Sequence, residues 1–497
     1  MSAALPTRSE SLAALTGEPL DLLVVGGGIV GSGVVRDAAL RGLRVALVEQ
    51  ADFASGTSGR SSRLLHGGLR YLAQGRVGLV REASVEKTVL HRIAPHLAEP
   101  LAFLFPTYKG DRQWRLWQLK IGVKIYDLLC GGRNLGASSW LSAREMLGRV
   151  PELREEGLAG AVRYFDGFTN DARLVLDSLR SAAREGAVIV NRARFEQPES
   201  ADGVWQGWLL DRESGERLRV RARSVVNACG PWADLLPPAQ VKLRLTKGVH
   251  LVVDREKLPV PETVVMTDGP RILFAIPWGE RTILGTTDTD YSGDPAAVQT
   301  EAEDVAEVLR VVNRSFPLRR VTVADVISVW AGLRPLLGGE KGSPSDISRS
   351  HKIVSPHPGW WDVAGGKLTT YRLMGEQTVD AVAAYLKQLG LLQRELKPCR
   401  TAHEVLLPEQ AVAGISGTLP PKFTRELVEH FCREEWALHL EDVMVRRAGW
   451  HYYHADAGKL AEQAADWMAE LHGWDSERRA AELARYREAA PPPPGVV

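Results

Sequence analysis

A glycine-rich turn near the N-terminus has the residue types and spacing that bind the phosphates of a nucleotide. An apolar, strand-forming run precedes residues 26–31, Gly-Gly-Gly-Ile-Val-Gly, and a second such run ends at Glu49. Gly26 suits a tight turn, Gly28 lets the backbone approach a pyrophosphate, and Gly31 lets a helix pack closely on a strand. The free N–H groups at the helix N-terminus favour phosphate, and an acid placed like Glu49 can bind ribose hydroxyls. The pattern predicts a β-α-β unit that binds a dinucleotide.

A loop rich in hydroxyl groups follows this unit at residues 56–63, Gly-Thr-Ser-Gly-Arg-Ser-Ser-Arg. Such a loop can wrap a second phosphate or a flavin, because it offers many small donors. The glycine turn alone does not separate NAD from FAD, since both contain an ADP half. The other interpretation of the loop is a solvated connection, which is what most loops are.

The composition limits the classes of protein to which the chain can belong. A chain of 497 residues is too long for one ordinary hydrophobic core. Its net charge of +1 gives no general attraction to nucleic acid. The four cysteines lack C-x-x-C spacing, so no metal site is predicted, and their scarcity fits a reducing compartment. The chain shows neither a signal peptide nor an apolar run of about 18 residues, which predicts a cytoplasmic protein without a transmembrane helix.

The order of patterns along the chain predicts its organisation. Residues 1–20 are expected to form a loose leader, and residues 399–489 a helical domain followed by a disordered, proline-rich tail at 490–497. Between them, 21–398 hold the nucleotide unit and a mixed sheet in a discontinuous, interleaved arrangement. The segments predicted to be helical are 29–41, 77–96, 424–434, 437–448, 457–471 and 476–489. The predicted strands are 187–190, 205–210, 218–220, 224–227, 249–253, 272–276 and 282–286.

Several blocks, in order, resemble the FAD-dependent, aerobic-type glycerol-3-phosphate dehydrogenases. The most specific are His-Gly-Gly-Leu-Arg-Tyr-Leu at 66–72 and Gly-Gly-Lys-Leu-Thr-Thr-Tyr-Arg at 365–372. Further blocks lie at 171–175, 227–232, 247–250, 276–278, 285–288 and 332–335, and the likeness extends to a C-terminal segment at 435–447. Arg63 departs from the pattern, since the family usually has lysine there.

The resemblance implies an α/β fold. It would contain an FAD-binding Rossmann-like domain of the glutathione-reductase/D-amino-acid-oxidase type, a mixed-sheet substrate domain and a C-terminal all-α cap. The implied reaction oxidises sn-glycerol 3-phosphate at C2 to dihydroxyacetone phosphate, with hydride transfer to FAD N5 and electrons passed to a membrane quinone. The sequence leaves open whether the C-terminal helices form a cap, a homodimer surface or both.

The resemblance also implies the residues of the site. A phosphate ester needs cations, and proton transfer suits histidine. The catalytic residues expected on this basis are His66, His250, Arg334 and Lys367. Those expected to bind substrate are Arg70, Tyr71, Arg334, Arg349 and Lys367. Those expected to bind FAD are Gly26, Gly28, Gly31, Glu49, Thr57, Ser58, Ser61, Ser62, Arg63, Leu64, Gly230, Gly366, Leu368 and Thr369. The choice between His66 and His250 as proton acceptor stays open, and either can be a structural histidine.

Residues 109–126 form a basic amphipathic segment. Five cations between Lys109 and Lys124 are interleaved with Trp114, Leu116 and Trp117. A basic face beside an aromatic and aliphatic face is typical of a helix at a membrane interface. We therefore expect peripheral binding to the inner face of the cell membrane, where a quinone is available. The other interpretation is a half-buried surface helix.

Three alternative functions stay open on the sequence. The same site residues would serve an oxidase that passes electrons to oxygen. The same scaffold also serves amine and amino-acid oxidases, because fold alone does not settle the substrate. A flavoprotein that binds FAD without turnover is the third alternative.

Overall fold

The structure is a computed structural model of the chain. It describes residues 6–73, 75–111, 113–131, 134–269, 271–338, 350–392 and 395–495, without the side chains of Arg70 and Ala73. Arg349 and Arg112 lie outside the described residues, and so does the side chain of Arg70.

The described strands, in chain order, are β1 (Leu22–Val25), β2 (Val45–Val48), β3 (Leu64–Leu65), β4 (Glu99–Tyr108), β5 (Ser139–Leu141), β6 (Leu158–Phe168), β7 (Val188–Val190), β8 (Ala193–Ala201), β9 (Val204–Asp211), β10 (Arg217–Ala222), β11 (Val225–Asn227), β12 (Leu243–Asp254), β13 (Thr263–Asp268), β14 (Arg271–Trp278), β15 (Arg281–Gly285), β16 (Thr289–Tyr291), β17 (Val326–Leu337), β18 (His351–His357) and β19 (Trp360–Gly365).

The described α-helices are α1 (Arg8–Leu15), α2 (Ile29–Arg41), α3 (Leu69–Ala73), α4 (Val77–Ile93), α5 (Leu116–Leu129), α6 (Ala143–Arg149), α7 (Asp171–Arg184), α8 (Ala302–Ser315), α9 (Tyr371–Gln388), α10 (Arg425–Glu434), α11 (Trp450–Tyr453), α12 (Ala457–His472) and α13 (Ser476–Ala489).

The first β-α-β unit forms where the sequence predicts it. Strands β1 and β2 are parallel, and every residue of both is buried, which is typical of a sheet covered on both faces. The helix between them spans Ile29–Arg41, and Gly42 ends it in the left-handed conformation at φ +91°. These strands belong to a six-stranded sheet with the order β18-β19-β11-β1-β2-β7. Helices α7 and α9 pack against α2.

A ten-stranded mixed sheet carries the second half of the predicted site. Strands β12 and β17 pair antiparallel along their length, with Thr246 opposite Arg334 and His250 opposite Trp330. The strands predicted at 249–253, 272–276 and 282–286 lie within β12, β14 and β15 apart from Thr286. A separate three-stranded sheet, β10-β9-β8, contains one strand that the sequence did not reveal. That strand, Ala193–Ala201, is polar and mostly exposed.

The expectation of a loose N-terminal leader does not hold for residues 8–15. They form helix α1, which a capping box of Thr7 and Glu10 begins. Leu12 and Leu15 are buried in a cluster beneath β1 and β11. The Arg8 guanidinium pairs with the Asp211 carboxylate at 2.5 Å, so this segment is fixed to the folded body.

The C-terminal domain is helical as predicted, with one difference. The continuous helix expected at 437–448 begins only at Leu440 and is π-helical at Asp442–Arg447, and the short helix α11 follows as a separate element. Asp442 Oδ2 accepts hydrogen bonds from the backbone N–H groups of Leu438 and His439. Because these bonds belong to a capping arrangement, a new helix begins there. Helix α13 ends at Ala489, ahead of the proline run.

Buried ion pairs join the C-terminal domain to the first β-α-β unit. Asp52 follows β2 and contacts both Arg446 and Arg447, and Asp52 and Arg447 are fully buried. Arg192 bridges Glu441 and Asp442 at 2.7 Å each. Each charge therefore depends on partners from the other part of the chain, because an unpaired buried charge is costly.

His439 makes part of this junction sensitive to pH. Its imidazole nitrogens lie 2.9 Å from Glu482 and 3.0 Å from Glu213. Burial alone would lower the pKa of His439, but the hydrogen bonds to the two glutamates raise the pKa to about 9. The charged His439 therefore stabilises the folded protein fully at a pH below the pKa that this histidine has in the unfolded chain. This stabilisation is lost as the pH rises through the pKa of His439 in the folded protein.

We expect His439→Gln to destabilise the protein by about 3 kcal/mol at pH 6 and by much less near pH 10. The measurement is the Tm of both proteins across this range. A Tm difference that does not change with pH would contradict the ion-pair interpretation.

Among the described residues, no helix combines the length and apolarity needed to cross a bilayer.

Candidate active site

The glycine turn is packed so tightly that side chains are excluded from it. Gly26 has φ +112°, and a Cβ atom there would lie 2.5 Å from the carbonyl oxygen of Ala228. A Cβ on Gly31 would lie 1.9 Å from the carbonyl oxygen of Gly26. Gly28 caps helix α2, and a Cβ on it would lie 3.0 Å from Ser58 Oγ. The backbone can therefore approach a pyrophosphate closely only with these glycines.

Polar groups surround the N-terminus of α2. Ser58 Oγ accepts a hydrogen bond from the Ile29 N–H at 2.9 Å. The Glu49 carboxylate accepts from the N–H groups of Gly27 and Ala51 at 2.7 and 2.8 Å, and its burial raises its pKa. An acid at the end of the second strand and donors at a helix N-terminus are what the ADP half of FAD requires. The residues present therefore fit this cofactor.

The hydroxyl-rich loop reaches across to the ten-stranded sheet. Thr57 Oγ1 donates to the Leu333 carbonyl at 2.6 Å, and Ser62 Oγ lies 2.8 Å from His250 Nε2. Ser61 Oγ donates to the buried Asp171 carboxylate at 2.7 Å. The loop then enters β3 at Leu64, opposite Phe168. It is an anchored segment and not a solvated connection.

The Arg63 side chain lies in an aromatic cage, and its expected contact with FAD stays a prediction. It is buried, with φ +58°, and its guanidinium carbon lies 4.3 Å from the Trp278 ring centre and 5.3 Å from that of Trp330. Tyr452, from the C-terminal domain, completes this aromatic cage at 6.0 Å. Asp171 lies 3.9 Å from Arg63 Nε. The guanidinium is therefore held by rings and one carboxylate.

His250 sits beside this cage in a neutral form. Its ring stacks on Trp330 with centres 5.1 Å apart and an interplanar angle of 17°. Burial, together with the nearby cations Arg334 and Arg63, lowers the pKa of His250 to about 3. Within the described part of the chain, its buried Nδ1 atom has no hydrogen-bond partner. A neutral imidazole with a buried lone pair can accept a proton.

Arg334 extends over a glycine two residues from His250. A Cβ atom on Gly248 would lie 2.5 Å from one terminal nitrogen of Arg334, so only glycine leaves room for the guanidinium. The guanidinium is oriented by Asp288 at 3.0 Å and by Thr286 Oγ1 at 3.1 Å. Both partners belong to the Gly-Thr-Thr-Asp block at 285–288, for which no site role was predicted.

A second group of predicted residues meets at the 365–372 block. Lys367 Nζ donates to the Gly67 carbonyl at 3.2 Å and lies 4.3 Å from the centre of the Tyr71 ring. The His66 N–H donates to Thr369 Oγ1 at 3.0 Å. The block at 66–72 and the block at 365–372 therefore contact each other directly.

The glycines of the second block make the turn into helix α9. Gly365 and Gly366 have φ values of +74° and +83°. A 3-10 turn at Leu368–Thr370 then leads into α9 at Tyr371. Gly230, at φ +55°, begins a similar turn after β11. These turns lie after parallel strands of the six-stranded sheet, where a cofactor would be held.

Two residues at this site, Asp171 and Trp330, were not predicted from the sequence. Asp171 anchors the hydroxyl-rich loop, and Trp330 stacks on His250. Asp171 belongs to one of the blocks on which the resemblance rests, and that was the only available signal for it. Trp330 gave no signal, because its partners lie far away in sequence.

Comparison with known proteins agrees with this geometry. The family described as FAD dependent oxidoreductase matches residues 21–381, and the C-terminal domain of alpha-glycerophosphate oxidase matches residues 401–479. A glycerol-3-phosphate dehydrogenase of Mycobacterium leprae is 36% identical, covering 94% of this chain and 88% of that protein. An aerobic glycerol-3-phosphate dehydrogenase of Staphylococcus aureus is 39% identical, covering 78% of this chain and 71% of that protein.

Solved structures give the same assignment. The glycerol-3-phosphate dehydrogenase from Bacillus halodurans, complexed with FAD, matches with a TM-score of 0.76 and 30% identity, covering 99% of both chains. An L-alpha-glycerophosphate oxidase from Mycoplasma pneumoniae, at a TM-score of 0.62 and 17% identity, shares the fold. The predicted α/β fold, the C-terminal helical domain and the FAD cofactor are thereby confirmed. The chain belongs to the FAD-dependent oxidoreductase family and, within it, to the glycerol-3-phosphate dehydrogenases.

Proposed function

We propose that the protein oxidises sn-glycerol 3-phosphate at C2 to dihydroxyacetone phosphate and that its natural electron acceptor is a membrane quinone. One observation carries the proposal: a single short segment, residues 62–67, contacts both the group around His250 and the group around Lys367. Ser62 touches His250, and five residues later Gly67 touches Lys367. One imidazole, that of His250, and one cation, Lys367, are thereby held against one segment of the cofactor-binding region.

The charges suit a small phosphate ester. A phosphomonoester is close to doubly negative, and a forked guanidinium matches its oxygens. Arg334 and Lys367 supply cations that the described contacts hold in place. The same cations stabilise the negative charge that develops on the C2 oxygen as the hydroxyl proton leaves. That the side chains of Arg70 and Arg349 bind the substrate stays a prediction.

Proton transfer falls to His250 in this proposal. FAD, when bound, supplies the acceptor for the hydride from C2. The hydroxyl proton then needs a neutral base, and His250 is neutral at physiological pH because burial and two nearby arginines lower its pKa. A doubly negative substrate bound beside these arginines would offset their charge and raise the pKa of His250 towards the range that a general base needs. His66 contacts Thr369 through its backbone, and a role of its imidazole in proton transfer stays a prediction.

Steady-state turnover tests the substrate and the acceptor. We expect rapid dye-linked oxidation of sn-glycerol 3-phosphate and no turnover of glycine or D-amino acids. Little hydrogen peroxide should form in air, because the proposal makes the quinone the acceptor. Turnover of an amino acid without turnover of glycerol 3-phosphate would contradict the substrate assignment. Stoichiometric peroxide would identify an oxidase.

Helix α5 carries a second part of the proposal, binding to an anionic membrane surface. Its buried face consists of Leu119, Val123 and Tyr126. Its opposite face exposes an apolar stripe at helical spacing, formed by Trp117, Ile121, Ile125 and Leu128. Lys120 and Lys124 lie beside this stripe, within 6 Å of the ring of exposed Trp140. Large apolar side chains next to cations are what an anionic lipid interface binds.

The predicted amphipathic segment is narrower in the structure. Helix α5 begins only at Leu116, and Trp114 is buried against Phe105. The lipid-binding face therefore consists of the exposed α5 stripe and Trp140, with Lys109, Arg115, Lys120 and Lys124 as its cations.

We expect the triple variant Trp117→Ser, Ile121→Ser, Leu128→Ser to lose co-sedimentation with phosphatidylglycerol vesicles and to keep its dye-linked activity. Each side chain is more than half exposed, so its loss costs little stability but removes buried apolar area at the lipid interface. Trp208→Ser, at an exposed tryptophan on β9, is the matched control. Sedimentation of the triple variant equal to that of the wild type would reject this surface.

A further inference from the structure

Three polar side chains form a buried group beneath helix α5. Lys87 on α4 and Tyr126 on α5 are fully buried, and Asp166 on β6 is 2% exposed. A lysine is almost never fully buried without a partner. Lys87 Nζ donates to Asp166 Oδ1 at 2.8 Å, to Asn134 Oδ1 at 2.9 Å and to the Phe165 carbonyl at 3.0 Å. The group is therefore satisfied, at the cost of burying two charges.

The tyrosine links this group to the active-site loop. Its hydroxyl donates to Asp166 Oδ1, so the phenolic oxygen acts as an acceptor for the second contact. That contact is the N–H of Gly67, at 2.8 Å. A Cβ atom on Gly67 would lie 2.4 Å from the Tyr126 oxygen and 2.5 Å from Ser84 Oγ. Gly67 is therefore packed closely between Ser84 on α4 and Tyr126 on α5.

The other side of the same residue faces the site. The Gly67 carbonyl accepts a hydrogen bond from Lys367 Nζ at 3.2 Å. The Gly67 N–H therefore donates to the Tyr126 oxygen and, at the longer distance of 3.4 Å, to Asp166 Oδ1, while the Gly67 C=O accepts from Lys367. Because glycine has no side chain that could fix the Gly67 peptide, the orientation of this peptide depends on its hydrogen-bond partners.

We propose that Tyr126 is a positioning residue that holds the Lys367 ammonium through the Gly67 peptide, with the Lys87–Asp166 pair setting the direction of its hydroxyl. The negative Asp166 takes the hydroxyl proton, which leaves the phenolic oxygen to accept from Gly67. The inference rests on the proposed role of Lys367 in binding the substrate phosphate and stabilising the C2 oxygen.

A double-mutant cycle tests it on the FAD-loaded enzyme, with Tyr126→Phe, Lys367→Met and the two combined. We expect Tyr126→Phe to lower kcat/KM for glycerol 3-phosphate about 10-fold with an unchanged flavin spectrum, and Lys367→Met to lower it about 100-fold or more. The double variant should match Lys367→Met within about 2-fold, since the tyrosine acts through the lysine. Competitive inhibition by inorganic phosphate should weaken in parallel.

Multiplying effects in the double variant would overturn the inference, because they would show that Tyr126 acts independently of Lys367. Tyr164→Phe is the matched control: its buried ring packs 6.1 Å from the Tyr126 ring, and it should keep wild-type kinetics. If Tyr126→Phe does not fold, the same cycle uses Asp166→Asn, which keeps an oxygen acceptor and removes the charge. A wild-type enzyme without turnover would instead overturn the proposed function.

Discussion

Replacing Arg334 with methionine is expected to lower kcat/KM for sn-glycerol 3-phosphate about 1000-fold while FAD stays bound. The guanidinium is oriented by Asp288 and Thr286 and extends over Gly248 towards the neutral His250. Methionine fills similar space without charge, so both the phosphate and the developing negative charge lose a fixed cation. The measurements are kcat, KM and the flavin absorbance of the purified variant.

A lysine at the same position separates charge from shape. Arg334→Lys keeps the positive charge but lacks the planar fork, so we expect it to recover only part of the lost activity. Arg310→Met removes an arginine from the exposed face of α8, where it pairs with Asp268, and should leave the kinetics unchanged. An Arg334→Met enzyme with wild-type kcat/KM would remove this residue from the site.

The largest expected effect on stability is that of Asp52→Asn. Asp52 is fully buried and neutralises both Arg446 and Arg447, so its loss leaves two guanidinium groups without their main partner. Removing one partner of a buried ion pair costs about 3–5 kcal/mol. For a chain of this length we expect the Tm to fall on the order of 5 °C or more.

Differential scanning calorimetry of the FAD-loaded protein measures this effect. Because Asp52 joins the C-terminal domain to the first β-α-β unit, that domain should also become more sensitive to proteolysis at moderate temperature. Asp290→Asn breaks an exposed pair with Arg244 and serves as the control with an unchanged Tm. An equal Tm for Asp52→Asn and the wild type would mean that the network adds nothing to the junction.

Local patterns predicted the first β-α-β unit well, whereas the strands β4, β6, β13 and β17 of the ten-stranded sheet were not predicted. The bounds of β1, α2 and β2 follow from two apolar runs, a glycine turn and a C-terminal glycine, all of which act within a few residues. The strand β8 was missed because only Ala193 and Phe195, at its start, are buried apolar residues, and the rest of the strand is polar and mostly exposed. The late start of the helix predicted from 437 was missed because the Asp442 carboxylate binds the backbone of Leu438 and His439 and also Arg192, which is far away in sequence.

The site shows the same division. The glycine turn and Glu49 could be derived from spacing, whereas Arg334, His250 and Lys367 came from the resemblance. No spacing rule places Lys367 beside Gly67, 300 residues earlier in the chain. The aromatic cage of Arg63 could not be predicted either, because its three rings come from two strands of the ten-stranded sheet and from α11. Such contacts are decided by tertiary packing, which one sequence does not encode locally.

The central claim, a flavin reduced by glycerol 3-phosphate, is tested most directly by absorbance spectroscopy under anaerobic conditions. The purified protein should be yellow, and sn-glycerol 3-phosphate should bleach it within the turnover time. A quinone analogue should then restore the colour without oxygen. A protein that stays colourless after reconstitution with FAD, or a bound flavin that glycerol 3-phosphate leaves oxidised, would contradict the account.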